Sequence, residues 1–64
     1  MIKVNGENID ISDITLSEYL DSTNYDIKRI AVEKNGELIT KSQYDSTVLK
    51  DGDSVEIVSF VGGG

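Results

Sequence analysis

Hydrophobic positions recur along this chain with two different periods. Ile2 and Val4 alternate with Lys3, and Ile9 and Ile11 alternate with Asp10. Side chains of a strand point alternately to its two faces, so each run reads as a strand with one buried face. Asn5-Gly6 lies between them. Both central residues of a type I′ hairpin turn need positive φ, which asparagine and glycine tolerate. The first segment is therefore predicted to be a β-hairpin, with Glu7-Asn8 leaving room for a loop longer by a residue or two. Ile30-Ala31-Val32-Glu33, Asn35-Gly36 and Leu38-Ile39 repeat the signal and predict a second hairpin.

Between the hairpins the period lengthens. Leu16, Tyr19 and Leu20 fall on one helical face. Thr15-Leu16-Ser17-Glu18 fits a capping box, in which the threonine and glutamate side chains each accept from the other residue's amide. Ile14 and Tyr19 occupy the positions of a hydrophobic staple. The pattern predicts a helix over residues 16–23, ended by Asn24 in a left-handed conformation. Residues 41–50 are polar apart from Tyr44, Val48 and Leu49, and predict a loop with a short helical turn. Asp51-Gly52-Asp53 predicts a turn into a last strand over 54–61. That strand is apolar on both parities, which suits a central position in its sheet.

The predicted order is hairpin, helix, hairpin, connector, strand. One short helix can cover one face of a sheet. With the last strand beside the first, the result is an α+β chain of the β-grasp (ubiquitin-like) class: a mixed sheet of four to five strands packed on one main helix. The expected core is Ile2, Val4, Leu16, Leu20, Ile30, Val32, Val55 and Ile57. Residues 1–61 form the expected domain, and 62–64 a flexible C-terminal glycine tail.

Composition narrows the chemistry. The 64 residues contain no cysteine and no histidine. Disulfide staples, thiolate and imidazole metal ligands, and Cys-His or Ser-His nucleophile pairs are thereby excluded. A domain this small buries only about 60% of the surface its unfolded chain exposes, so its local structure must be efficient. The side-chain inventory points to a protein that is acted upon rather than an enzyme. Twelve acidic and six basic residues give a net charge of −6. That sign repels phosphate backbones and anionic lipid, so the expectation is no nucleic acid and no membrane partner. It favours solubility, and steering toward a protein with a basic docking face. Met1 to Asp10 has no continuous apolar region of the signal-peptide kind, and no run approaches a membrane span. A cytoplasmic location is the expectation.

The chemistry that remains is carboxylates, hydroxyls, cations and the chain terminus. Gly62-Gly63-Gly64 adds nothing to a core, and glycine loses the most conformational entropy when ordered. Such a tail suits threading a narrow channel in a partner enzyme, with the Gly64 carboxylate presented there. Fully extended, three residues reach roughly 10 Å at ~3.3–3.6 Å each. Val58 and Phe60 share the parity of Glu56, opposite Val55, Ile57 and Val61. If the helix covers the latter face, Val58 and Phe60 form an exposed apolar patch beside the tail, a candidate docking surface. Two acidic groupings read as structural. Asp51-Gly52-Asp53 with Glu56 lacks the ligand spacing of a calcium loop, so no metal site is expected. Asp10, Asp13 and Glu18 near the helix start complement its dipole.

The second half of the chain resembles the ThiS family, the sulfur carrier proteins of thiamine biosynthesis. The resemblance rests on Asn35-Gly36-Glu37, the Ser42-Gln43-Tyr44 connector, Asp51-Gly52-Asp53, Val55-Glu56-Ile57-Val58 and the terminal glycines. It covers residues 30–64 well, and the first half matches in length and element order. Thr40-Lys41 and Tyr44 stand where many members carry a Pro-Arg pair and a tryptophan. The resemblance implies a C-terminal carboxylate, here that of Gly64, adenylated by an ATP-dependent activating enzyme. Sulfur from a cysteine desulfurase or another donor then makes it a thiocarboxylate, which thiazole synthase consumes. Gly63 and Gly62 would carry the reacting end. The carrier itself would bind no cofactor, the ATP belonging to the activating enzyme. Two alternatives stand beside this reading. One is a carrier like the small subunit of molybdopterin synthase, although those are usually longer and often have proline near the tail, and this chain has none. The other is a non-covalent β-grasp interaction module, which has no need of a bare glycine end.

Overall fold

A computed structural model describes residues 1–60; Val61 and the Gly62-Gly63-Gly64 tail lie outside the described residues. Strands β1 (Ile2–Val4) and β2 (Glu7–Ile9) form the first hairpin, with Val4 opposite Glu7. Its loop is Asn5-Gly6 alone, at φ 51° and 82°. Glu7 and Asn8 are therefore strand residues and do not lengthen the turn. Strands β4 (Ile30–Lys34) and β5 (Glu37–Ile39) form the second hairpin, closed in the same way by Asn35-Gly36 at φ 53° and 86°. Positive φ at both central positions is the type I′ geometry that matches the right-handed twist of the flanking strands.

The last strand, β7 (Ser54–Ser59), runs parallel to β1 and antiparallel to β4. The five-stranded sheet has the order β2-β1-β7-β4-β5, so β7 is central, as its two apolar parities require. Helix α1 (Leu16–Asp21) buries Leu16 and Leu20 against one face of this mixed sheet. The expected core residues are all buried, and Tyr44 and Leu49 join them.

The capping box of α1 is formed. Thr15 Oγ1 accepts from the Glu18 amide at 3.1 Å, and Glu18 Oε1 accepts from the Thr15 amide at 2.8 Å. The helix is shorter than the expected span of 16–23 and ends at Asp21. Ser22 Oγ and Thr23 Oγ1 donate to the carbonyls of Tyr19 and Leu20, at 2.6 and 2.7 Å, and satisfy acceptors that a further turn would have used. Asn24 is not the terminator: the non-glycine residues at positive φ among the described residues are Asn5, Asp13 and Asn35.

The connector is more ordered than its polarity predicts. A 3-10 turn at Lys41–Gln43 leads to Tyr44, and strand β6 (Val48–Leu49) pairs antiparallel with β3 (Ile14–Thr15). The first amides of a helix lack intrahelical partners. Here the connector supplies them: Leu16 N–H donates to Thr47 O at 2.7 Å and Ser17 N–H to Tyr44 O at 3.1 Å. The connector is thus the second cap of α1, which is why Tyr44 is buried rather than offered to a partner.

Candidate functional site

Strand β7 leads to the glycine tail, and the groups that hold it in place define the candidate site. At its start, Asn35 works from the second hairpin turn. The Asn35 amide donates to Ser54 O at 2.7 Å, and Asn35 Oδ1 accepts from Ser54 N–H at 2.9 Å. Three residues on, Asn5 does the same from the first turn. Asn5 Oδ1 accepts from Ile57 N–H at 2.7 Å, and Nδ2 donates to Ile57 O at 3.2 Å. Strand β1 stops at Val4, so the Asn5 side chain supplies the pairing that a longer strand would have given. At the far end, Phe60 N–H donates to Arg29 O at 2.6 Å, just past the last rung of the β4–β7 ladder. Both asparagines were legible as turn formers, whereas their grip on β7 was not.

The turn before β7 is fixed by Asp53. Burial works against ionisation of its carboxyl. Hydrogen bonds from Asn35 Nδ2 (3.0 Å) and the Lys50 amide (2.8 Å), with the Lys34 and Lys50 ammonium groups nearby, outweigh that and hold it below its ordinary value. Asp53 is therefore engaged as a structural acceptor. Glu56 lies on the exposed parity of β7, and no cluster of carboxylates suited to a metal ion occurs among the described residues. Glu18 is used by the capping box and Asp13 faces Lys50 at 3.4 Å, which accounts for those members of the helix-start grouping.

The sheet face away from α1 is the exposed one. Val55 and Ile57 point to the helix, while Val58 and Phe60 are 56% and 55% exposed, as strand parity predicts. Cross-strand register adds residues that the sequence pattern did not single out. Ala31 lies beside Val58, and Leu38, Glu33 and Glu56 form a row across β5, β4 and β7. Leu38 is 65% exposed. The face is an apolar patch with two glutamates set in it, lying beside the end of β7. Gly62, Gly63 and Gly64, the expected reactive tail, lie outside the described residues, as does Val61. No pocket opens among the described residues, and none of their helices is long and apolar enough to cross a membrane.

Comparison with known proteins supports these features. The model of the ThiS family matches residues 2–64, glycine tail included. The sulfur carrier protein ThiS of Bacillus subtilis is 38% identical, the match covering 100% of both chains. The crystal structure of the thiamine biosynthesis protein ThiS from Geobacter metallireducens superposes with a TM-score of 0.80 at 34% identity, covering 98% of this chain and 97% of that one. A thiazole synthase of Paramagnetospirillum magneticum is 40% identical over 95% of this chain, which spans only 19% of that longer protein. The sheet order, the single covering helix and the match through the terminal glycines agree, and the chain belongs to the ThiS family, the sulfur carriers of thiamine biosynthesis.

Proposed function

We propose that this carrier works through the carboxylate of Gly64, with the folded body as the handle that an ATP-dependent activating enzyme grips. The observation that carries this reading is the fixing of β7. Asn35, Asn5 and Arg29 hold it from Ser54 to Phe60, and Phe60, the last anchored amide among the described residues, lies four residues before Gly64. Four residues reach at most roughly 13–14 Å. A docked body therefore places the carboxylate within a defined radius inside a partner's active site. The match of the family model through residue 64 supports a role for the glycines in this reach.

The chemistry follows from the terminus. A carboxylate is a poor electrophile. Its attack on ATP releases pyrophosphate and gives an acyl-adenylate, whose leaving group is AMP. The terminal sulfur of a desulfurase persulfide then adds to the acyl carbon, and AMP departs with the bonding electron pair and one former carboxylate oxygen. A thiol then attacks the desulfurase sulfur of this acyl disulfide, forming a new disulfide with it, and the thiocarboxylate leaves with the electron pair of the broken S–S bond. Glycine keeps the acyl carbon open to attack, and the carrier needs no cysteine of its own. The match to part of a chain named thiazole synthase supports thiazole synthase as the sulfur acceptor. Val58 and Phe60 are the proposed contacts for the activating enzyme. The protein is placed in the cytoplasm, with the ATP that its partner uses.

The test is intact-mass spectrometry after incubation with the activating enzyme, a cysteine desulfurase and cysteine, with MgATP present or withheld. The expected result is an ATP-dependent exchange of one oxygen for sulfur. Deletion of Gly64 shortens the reach by ~3.3–3.6 Å, and misplacement of ~1 Å can cost ~100-fold in rate. That variant is expected to fold and dock but to load sulfur poorly. Absence of the mass change in the parent protein would overturn the reading in favour of a non-covalent module.

A further inference from the structure

The exposed sheet face has a charge arrangement that its apolar residues do not explain. Glu33 of β4 and Glu56 of β7 are direct cross-strand partners. Side chains so placed have Cβ atoms about 5 Å apart, and like charges directly opposite one another are destabilising. Both glutamates are exposed and on the face away from the helix. The ion pairs among the described residues join Met1 to Asp51, Arg29 to Asp26, Lys34 to Asp53 and Lys50 to Asp13. None involves Glu33 or Glu56. Lys3 is on the same face, opposite Ser54 and diagonal to Glu56, and makes no ion pair either. Apolar side chains flank the glutamates: Leu38 is the next residue in their row, and Ala31 and Val58 form the adjacent row.

We infer that Glu33 and Glu56 are the charged centre of the docking face, and that the activating enzyme seats a guanidinium between them while apolar side chains cover Leu38, Val58 and Phe60. This rests on the reading of the carrier's function given above. A planar guanidinium, with five donors in a fixed fork, can bridge two neighbouring carboxylates, which a single ammonium matches less well. Its arrival relieves the repulsion that the free carrier retains, so the pair favours the complex over the free protein. A second copy of this chain is the wrong occupant. It would bring the same glutamates to the interface and another net charge of −6. The excess of negative charge also steers the carrier toward a basic partner and makes the encounter sensitive to salt.

The experiment compares the parent with Glu33→Gln, Glu56→Gln and the double variant. Thermal melting is measured alongside ATP–pyrophosphate exchange, with the purified activating enzyme of the same organism and carrier concentration as the variable. The double variant is expected to melt at or above the parent temperature. Its KM for the carrier is expected to rise at least tenfold, with kcat unchanged and a flatter dependence of KM on salt. Glu56→Lys provides a second variant, in which the lysine pairs with Glu33 inside the carrier. It is expected to melt higher and dock worse than either single glutamine variant. Unchanged KM in a folded double variant overturns this inference and leaves the carrier function standing, as does a change confined to kcat. A parent that supports no exchange overturns both.

Discussion

Asn5 and Asn35 each satisfy two demands at once. Asparagine tolerates the left-handed backbone that the first position of a type I′ turn needs, and its amide can complete a neighbouring strand's hydrogen bonding. The turn role is written in the local Asn-Gly pairs. The pairing with Ile57 and Ser54 joins residues far apart in sequence, and no local pattern encodes it. The two roles separate by substitution. Asn5→Gly keeps the permitted φ but leaves the partly buried Ile57 N–H and C=O without their partner, at a cost of about 1–3 kcal/mol. Asn5→Ala adds left-handed strain of roughly 1–2 kcal/mol. Urea denaturation of the three proteins is expected to give the stability order parent, Gly, Ala. Equal stability of the parent and the Gly variant would show that the side-chain bonds to β7 are worth nothing. Asp53 offers a pH-dependent counterpart. Its folded value lies below the unfolded one, so the stability it contributes is present above the unfolded value, near pH ~4, and is lost as pH falls through the folded value. Asp53→Asn is expected to be less stable than the parent at neutral pH and to show a shallower loss of stability below pH ~5, measured by denaturant titration across that range.

At the scale of elements, the hairpins, the helix start and the central strand were legible because each is a local signal repeated over several residues. The helix end was not. The expected end at Asn24 is not used, because two hydroxyl side chains that bond back to Tyr19 and Leu20 stop the helix at Asp21. The β3–β6 pair was not legible either, since two residues per strand give no period to detect. Its consequence is that residues 41–50 are bound to the start of α1 by Leu16 N–H and Ser17 N–H, and carry Tyr44 and Leu49 into the core. Tyr44 is only 4% exposed, and burial raises the pKa of its phenol. The aromatic position of the connector is therefore a packing position. The helix has a single buried stripe to anchor it, made by Leu16 and Leu20. Leu20→Ala is expected to destabilise the fold by about 2–5 kcal/mol, the range for truncating a buried leucine. Native stability can be as low as ~5 kcal/mol. Circular dichroism on thermal melting is expected to show a large drop in midpoint or a partly unfolded protein at 25 °C. A midpoint within ~2 °C of the parent would mean that the helix face can collapse into the space.

Over the whole molecule, the sheet divides into a side that buries the core and an exposed side, the proposed docking face. Parity alone assigned Val58 and Phe60 to the second side, because a strand period of two leaves no freedom once Val55 and Ile57 are buried. The neighbours of that patch, Leu38, Glu33 and Glu56, come from other strands and become visible only through register. This division predicts a clean separation of phenotypes. Leu20→Ala damages the fold on one side of the sheet, while Phe60→Asp on the other should spare it, because the ring is exposed in the free protein. In the complex a new carboxylate at the contact would have to lose its water, and an unpaired buried charge is costly. Aromatic anchors are commonly worth 2 kcal/mol or more at an interface, and ~1.4 kcal/mol corresponds to tenfold in affinity. Titration of the activating enzyme with Phe60→Asp by calorimetry is therefore expected to show affinity lowered at least tenfold, with the thermal midpoint of the free variant unchanged. The added negative charge cannot produce this loss through general repulsion, since steering toward a basic partner favours a more acidic carrier. An equally acidic control, Asn24→Asp at an exposed position after the helix, should bind at least as well as the parent. If the control loses affinity as Phe60→Asp does, the effect is not local and the docking face lies elsewhere. If Phe60→Asp unfolds, the ring belongs to the core, and the division of the sheet into two sides fails at its outer end.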